Sequence, residues 1–210
     1  MKKKVVLITA GPTKEYIDPI RFISNDSSGK MGYLLAEESK KLGDVILISG
    51  PTCLKPPKGI KFIKVISASE MFNQVKKYFN KCDVFISCAA VSDYKVKNAS
   101  KDKIKKTIGK LKLELISNPD ILLEVSKEKY NNKRILVGFA LETNNLIKNA
   151  QNKFIKKKLD IIIANEPSTI NSDRSKGAII TEDKIKKFKS ISKKSLAEII
   201  IGDIRGVLTR

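Results

Sequence analysis

Apolar residues recur along this chain in two alternating rhythms. Runs rich in valine and isoleucine at 4–9, 45–49, 61–66, 83–88, 134–140, 160–164 and 177–181 have the length and composition of strands. Between them, residues 30–42, 69–79, 118–130, 145–157 and 194–205 repeat apolar positions at helical spacing. Strands separated by helices of this length predict right-handed βαβ units, hence an α/β fold with a mainly parallel central sheet flanked by helices. Ile161-Ile162-Ile163 has no polar alternation, as a strand covered on both faces requires. Asn118-Pro119-Asp120 predicts a helix start, with asparagine as cap, proline at the first helical position and aspartate facing the dipole.

Residues 95–117 break this rhythm. The stretch 95–106 is polar and lysine-rich, and 110–115 alternates strictly (Lys-Leu-Lys-Leu-Glu-Leu), as a half-exposed strand does. An inserted β-arm of this kind covers an active site or pairs with another subunit, unless it is simply a solvated hairpin. No repeat, low-complexity linker or second domain is evident, so residues 1–210 are expected to form one domain.

Composition narrows the function classes. No run of 18 apolar residues exists, so no membrane partner is expected. Met1-Lys2-Lys3-Lys4 leads into an apolar run too short for a secretory signal, which points to a cytoplasmic protein. Cys53, Cys82 and Cys88 are odd in number and lack metal-binding spacing, so they read as reduced, structural thiols. The absence of histidine excludes Ser-His-Asp and Cys-His nucleophiles and histidine-ligated metals. The net charge of +20 invites a nucleic-acid partner, but the only arginines are Arg21, Arg134, Arg174, Arg205 and Arg210. Base-edge reading leans on arginine forks, so the lysines read as solvated faces, and no nucleic acid is expected.

The most informative segment is 23–32, Ile-Ser-Asn-Asp-Ser-Ser-Gly-Lys-Met-Gly. It follows the strand pattern Val5–Thr9 and the turn around Gly11, and opens a helix with Met31, Leu34, Leu35 and Leu42 on one face. Free amides and the positive dipole end of such a helix face one point, which makes an anion site. Gly29 and Gly32 permit close backbone approach, and Ser27 and Ser28 add hydroxyl donors. The spacing is neither Gly-x-Gly-x-x-Gly nor a full Walker pattern, and a tight strand–helix connection with a capped helix accounts for the segment equally well. Other predicted strand ends also carry unusual residues: Cys88-Ala89-Ala90-Val91-Ser92-Asp93-Tyr94, Phe139–Thr143 and Ala164-Asn165-Glu166. Ala89 and Ala90 would let a planar group approach, with Asp93 accepting from an amine or ribose hydroxyl, unless Asp93 is only a turn residue.

Seven motifs in order resemble one family: Thr9-Ala10-Gly11-x-Thr13, Ile17-Asp18-Pro19-x-Arg21, Ile23-Ser24-Asn25-x-Ser27-Ser28-Gly29-Lys30-Met31-Gly32, Ala89-Ala90-Val91-x-Asp93-Tyr94, Lys103-Ile104-Lys105-Lys106, Asn118-Pro119-Asp120-Ile121 and Val137-Gly138-Phe139-Ala140-x-Glu142-Thr143. The chain is similar to the phosphopantothenoylcysteine synthetases of coenzyme A biosynthesis. The resemblance implies a Rossmann-like domain that forms a homodimer, with the arm about 95–117 used in dimerisation. It implies a ligase that joins 4′-phosphopantothenate and L-cysteine, using CTP with Mg²⁺ through an acyl-cytidylate. The alternatives are the same ligase using ATP, or a nucleotide or nucleic-acid binding module without catalysis.

Residue by residue, the resemblance makes Lys103 the lysine that contacts the nucleotide phosphates during activation, and Asn25 the amide that grips the acyl-nucleotide. Ala89, Asp93 and Phe139 would frame base and ribose, with Pro119, Asp120, Ile121 and Leu122 nearby and Lys153 and Lys157 aimed at the nucleotide. Gly11, Ser27, Ser28, Gly29 and Gly32 would form the phosphate site, while the metal ligands stay unassigned. Nucleotidyl transfer needs positioning and charge stabilisation more than a protein nucleophile, so a chain without histidine suffices. The chain departs from the family pattern at Pro12, Asp26, Leu141 and Asn165-Glu166-Pro167-Ser168. No flavin-dependent decarboxylase segment accompanies the domain, so a stand-alone synthetase without flavin is expected.

Overall fold

The computed structural model describes residues 3–106, 109–128 and 134–209. The chain runs through β1 (Lys4–Ala10), β2 (Lys14–Tyr16), β3 (Phe22–Ser24), α1 (Lys30–Ser39), β4 (Gly43–Ser49), β5 (Lys61–Lys64), α2 (Ala68–Phe79), β6 (Val84–Ser87), β7 (Tyr94–Val96) and β8 (Leu115–Ser117). It continues through α3 (Ile121–Ser126), β9 (Ile135–Leu141), α4 (Leu146–Lys156), β10 (Ile161–Asn165), β11 (Arg174–Ile180), β12 (Ile185–Ser192) and α5 (Lys193–Leu208). Eight strands form one sheet in the order β12-β11-β10-β9-β6-β1-β4-β5. The six from β10 to β5 are parallel, and β11 and β12 extend the sheet antiparallel. This is the expected Rossmann-like α/β architecture.

Side-chain alternation along β1 divides the core into two layers. Val6, Ile8 and Ala10 face α1 and α5, packing with Leu35, Ala36, Leu196, Ile200 and Ile204. Leu7 faces the other side, with Met71, Val75 and Phe79 of α2, Ile121, Leu122 and Val125 of α3, and Ala150 of α4. No helix among the described residues is long and apolar enough to cross a membrane.

Several expected elements differ in extent. The helix expected over 118–130 spans only Ile121–Ser126, with 129–130 outside the described residues. Its cap is Asp120, whose Oδ1 accepts from Leu123 N at 3.1 Å. Asn118 instead donates from Nδ2 to Ser92 O (2.9 Å), tying the helix entry to the loop after β6. Only Leu115–Ser117 of the alternating arm is strand, paired with β7. Lys97 N donates to Glu114 O (3.0 Å), and residues 110–113 belong to no strand among the described residues. The strands β2, β3 and β12 were not expected. The first two are three residues each, and the lysine-rich β12 carries little apolar pattern at the sheet edge.

Candidate functional site

The strand order reverses at β1, whose neighbours are β4 on one side and β6 on the other. Chains leaving β1 and β6 therefore part, and a ligand crevice opens beyond their carboxyl ends. Backbone bonds stitch the two exits below the opening. Cys88 N donates to Thr9 O (3.2 Å), Ala90 N to Gly11 O (2.9 Å) and Thr13 N to Ala90 O (3.3 Å). The cleft above has a volume of about 520 Å³ and takes walls from the loop before α1, the β6 exit, the ends of β9 and β10, and the start of α5.

The amino end of α1 forms one wall. Gly29 adopts φ +77°, and a Cβ there would lie 2.7 Å from Thr52 Cγ2 and 3.2 Å from Gly11 Cα. A Cβ on Gly32 would lie 2.5 Å from Ala10 Cβ, so the missing side chain is what lets α1 seat on the end of β1. Gly29 thus serves both turn and close approach, and Gly32 the helix–strand contact. Ser27 Oγ accepts from Gly29 N at 3.3 Å and Ser28 Oγ from Lys30 N at 3.4 Å, long contacts that an entering anion can replace. Lys30 pairs with Asp173, and Asp26 Oδ1 accepts from Asn171 Nδ2 at 2.8 Å.

The facing wall carries groups suited to a base and an acyl group. Asn25 Nδ2 donates to Ala90 O (3.2 Å) and Val91 O (3.0 Å), which engages both amide hydrogens and leaves Oδ1 as an acceptor. Ala89, Asp93 and Phe139 line the same space, with Asp93 exposed to solvent. Lys153 Nζ donates to Phe139 O at 2.6 Å. Burial holds this ammonium below the ordinary lysine value, and Lys157 adds to the depression against the pull of Asp120, Glu142 and Asp93. Asn165 Oδ1 is buried without a hydrogen-bond partner, and Asn165 lines the cleft.

The cleft thus brings together Asn25, Ser27, Ser28, Gly29, Gly32, Ala89, Asp93, Phe139 and Lys153 from the sequence-derived set. The others lie outside its lining. Gly11 sits beneath, in the stitched floor. Pro119 precedes α3, while Ile121 and Leu122 are core residues. Asp120 accepts from Lys157 Nζ at 2.8 Å, so these two charges satisfy each other. Burial pushes the Asp120 carboxyl up, yet Lys157 and the Leu123 amide outweigh it and hold its pKa low.

Lys103 is exposed, on a loop anchored by its neighbour: Ile104 N donates to Asp18 Oδ2 (3.1 Å) and Arg21 Nη2 to Ile104 O (2.8 Å). Asp18 is buried and also accepts from the Ile20 and Arg21 amides at 2.9 and 2.8 Å. The Arg21 guanidinium holds the Asp18 carboxyl well below the usual carboxylate range. The Ile17–Arg21 motif therefore acts as a hub for the Lys103 loop.

Sequence reasoning missed Lys193, Thr169 and Ser175 as lining residues, and noted Cys88 and Asn165 at strand ends without giving them a role in the site. Burial pushes the Cys88 thiol up to about 12, consistent with an inert thiol. A second hollow, of about 660 Å³, lies over β4 and β5 between Tyr16, Tyr33 and Phe62; none of the candidate site residues lines it.

Known proteins match this chain along nearly its whole length. The family described as the DNA/pantothenate metabolism flavoprotein C-terminal domain matches residues 1–207. The chain belongs to this family. The coenzyme A biosynthesis bifunctional protein CoaBC of Borreliella burgdorferi is 43% identical over 204 residues, 96% of this chain and 52% of that protein. The protein of the same name from Escherichia coli is 39% identical over 212 residues, 97% of this chain and 52% of its own length. The chain spans about half the length of these curated relatives. A crystal structure of the C-terminal domain of CoaBC superposes with TM-score 0.82 at 36% identity, covering 98% of this chain and 96% of that one. The structure described as a DNA/pantothenate metabolism flavoprotein from Streptococcus pneumoniae gives TM-score 0.82 at 25% identity, covering 97% and 99%.

Proposed function

We propose that this chain is a phosphopantothenate–cysteine ligase of coenzyme A biosynthesis that activates its substrate with CTP. The observation that carries this is one cleft holding the α1 amino end, Asn25, Asp93 and Lys153 together at the carboxyl ends of parallel strands. Kinship with coenzyme A biosynthesis proteins supports these substrates among the many that such a cleft admits.

In the first step a carboxylate oxygen of 4′-phosphopantothenate attacks the nucleotide α-phosphorus. The bond to the β-phosphate oxygen breaks, leaving acyl-cytidylate and pyrophosphate. In the second, the cysteine amine attacks the acyl carbon, CMP departs and the amine proton passes to solvent. The α1 dipole, its amides and the Ser27 and Ser28 hydroxyls neutralise the phosphate chain. Lys103, exposed and outside the cleft lining, would have to close over it to add its cation. Asp93 accepts from the cytosine amine. Asn25 holds the acyl carbonyl, for which Nδ2 must turn a hydrogen from Ala90 O, the longer of its two bonds.

Among the described residues no group of three His, Cys, Asp or Glu side chains forms a protein cage for a metal. Mg²⁺ carried on nucleotide phosphates needs only one or two carboxylates, and Asp26 at the phosphate wall suits that demand. The ion supplies charge neutralisation on the leaving pyrophosphate.

The active species is a cytoplasmic homodimer paired through the β2–β3 and β7–β8 hairpins, where Tyr16, Phe22, Tyr94, Leu115 and Ile116 are exposed. Amide product measured by mass spectrometry with 4′-phosphopantothenate, cysteine and Mg²⁺ tests the reaction. Product with CTP outpacing product with ATP supports the proposal. A faster rate with ATP moves the nucleotide assignment, since an adenine amine can also reach an aspartate acceptor. No amide with either nucleotide removes the ligase.

A further inference from the structure

Lys193 opens α5 and is 8% exposed, a depth at which lysine rarely lies without a carboxylate partner. Its Nζ donates to Thr169 O at 3.1 Å, and among the described residues no carboxylate accepts from it. An ammonium has three hydrogens, so two are left over on a side chain that lines the cleft. The Asp173 carboxylate is engaged by Lys30, while the Asp173 carbonyl accepts from Lys193 N at 2.9 Å. Burial holds the Lys193 ammonium below the ordinary lysine value, with Lys30 adding to the depression while Cys88 and Asp173 act the other way. A buried cation left partly unsatisfied is costly in the free protein, and an incoming anion removes that cost.

We infer that Lys193 binds the β,γ-phosphate tail of the nucleotide, on the same side of the cleft as the α1 amino end, against which α5 packs. This rests on the nucleotide-dependent reading above. The α1 terminus and Lys193 line the cleft together with Ser27, Ser28 and Gly29, and both present positive charge to it. Lys30 is paired with Asp173, whereas Lys193 has no ion pair among the described residues. Asp93, Phe139 and Lys153 hold the other part of the cleft, where the base and ribose go. A triphosphate entering base-first then places its tail by Lys193. The alternative is a structural strap, in which Lys193 only ties α5 to the turn at Pro167–Thr169.

Calorimetric titration of CTP, CMP and cytidine into wild type, Lys193→Met and Lys193→Arg separates the two. A charge-assisted hydrogen bond corresponds to roughly ten- to a hundredfold in affinity. Lys193→Met is expected to weaken CTP by at least about tenfold, CMP far less and cytidine not at all, with Lys193→Arg restoring most of the loss. Equal weakening of all three, or none, overturns the assignment in favour of the strap. A pulse of acetic anhydride on the wild-type protein, read by mass spectrometry, covers the case in which Lys193→Met does not fold. CTP should protect Lys193 from acetylation while cytidine does not; equal labelling with CTP and with cytidine overturns the assignment. Wild-type protein that binds neither CTP nor ATP sinks the nucleotide-dependent reading as well, whereas binding with an indifferent Lys193 sinks this inference alone.

Discussion

The partners of the polar side chains in the cleft define what each has left to offer. Asn25 has committed both amide hydrogens to the carbonyls of Ala90 and Val91. Asn25→Asp would replace those donors by a carboxylate facing two carbonyl oxygens and the nucleotide phosphates. Amide formation is expected to fall by about a hundredfold or more, checked by single-turnover product analysis. Lys103 is exposed and makes no ion pair among the described residues, so Lys103→Gln should leave the fold intact while slowing pyrophosphate release by about a hundredfold, on the order of 3 kcal/mol. Lys153 carries a pH signature. Its folded-state pKa is depressed by burial, so the folded protein releases this proton more readily than the unfolded chain. Stability relative to Lys153→Met must then rise with pH, from the depressed folded value up to the unfolded value of about 10.4. Nucleotide affinity should fall through the same window as the cation is lost. Urea unfolding across that range checks the first, and CTP titration the second.

At the scale of elements, the site depends on α1 seating against β1 and on the loop pinned at Asp18. Gly32→Ala would drive a methyl into Ala10 and should destabilise the fold by about 1–3 kcal/mol in denaturant unfolding, with phosphate affinity lost as α1 backs away. Asp18→Asn should free the Ile104 amide and speed its hydrogen exchange, since Asp18 Oδ2 is that amide's acceptor. The depressed Asp18 carboxyl contributes stability above the unfolded value near pH 3.9, and that contribution is lost as pH falls through the lower folded value.

These elements were unequally legible in the sequence. β1, β4, β6, β9 and β10 are apolar runs covered on both faces, and such runs announce themselves. β12 did not, because an exposed edge strand carries lysines that guard against further pairing. Residues 110–113 alternate like a strand but belong to no strand among the described residues, and alternation records a two-sided environment rather than a hydrogen-bonded ladder. The α1 terminus could be read because glycine and serine spacing reflects local backbone needs. Lys193 could not, because one lysine among many looks solvated until β12 and the turn at Pro167–Thr169 bury it.

For the whole molecule, two neighbouring hairpins carry exposed apolar side chains. β2 lies against β7, and the exposed rings of Tyr16, Phe22 and Tyr94 lie on these hairpins with Leu115 and Ile116. Leu115→Lys is expected to convert a dimer into a monomer by light scattering; a wild-type protein already monomeric at working concentration would refute the dimer. The net charge of +20 is spread over lysines rather than arginine forks, which suits attraction of polyanionic substrates to the cleft.

Pyrophosphate release from CTP and Mg²⁺, measured with and without 4′-phosphopantothenate and before cysteine is added, tests the central claim most directly. Ligation through an acyl-nucleotide predicts release that requires 4′-phosphopantothenate and does not require cysteine for the first turnover. Release that ignores 4′-phosphopantothenate, or none from folded protein with either CTP or ATP, would contradict it.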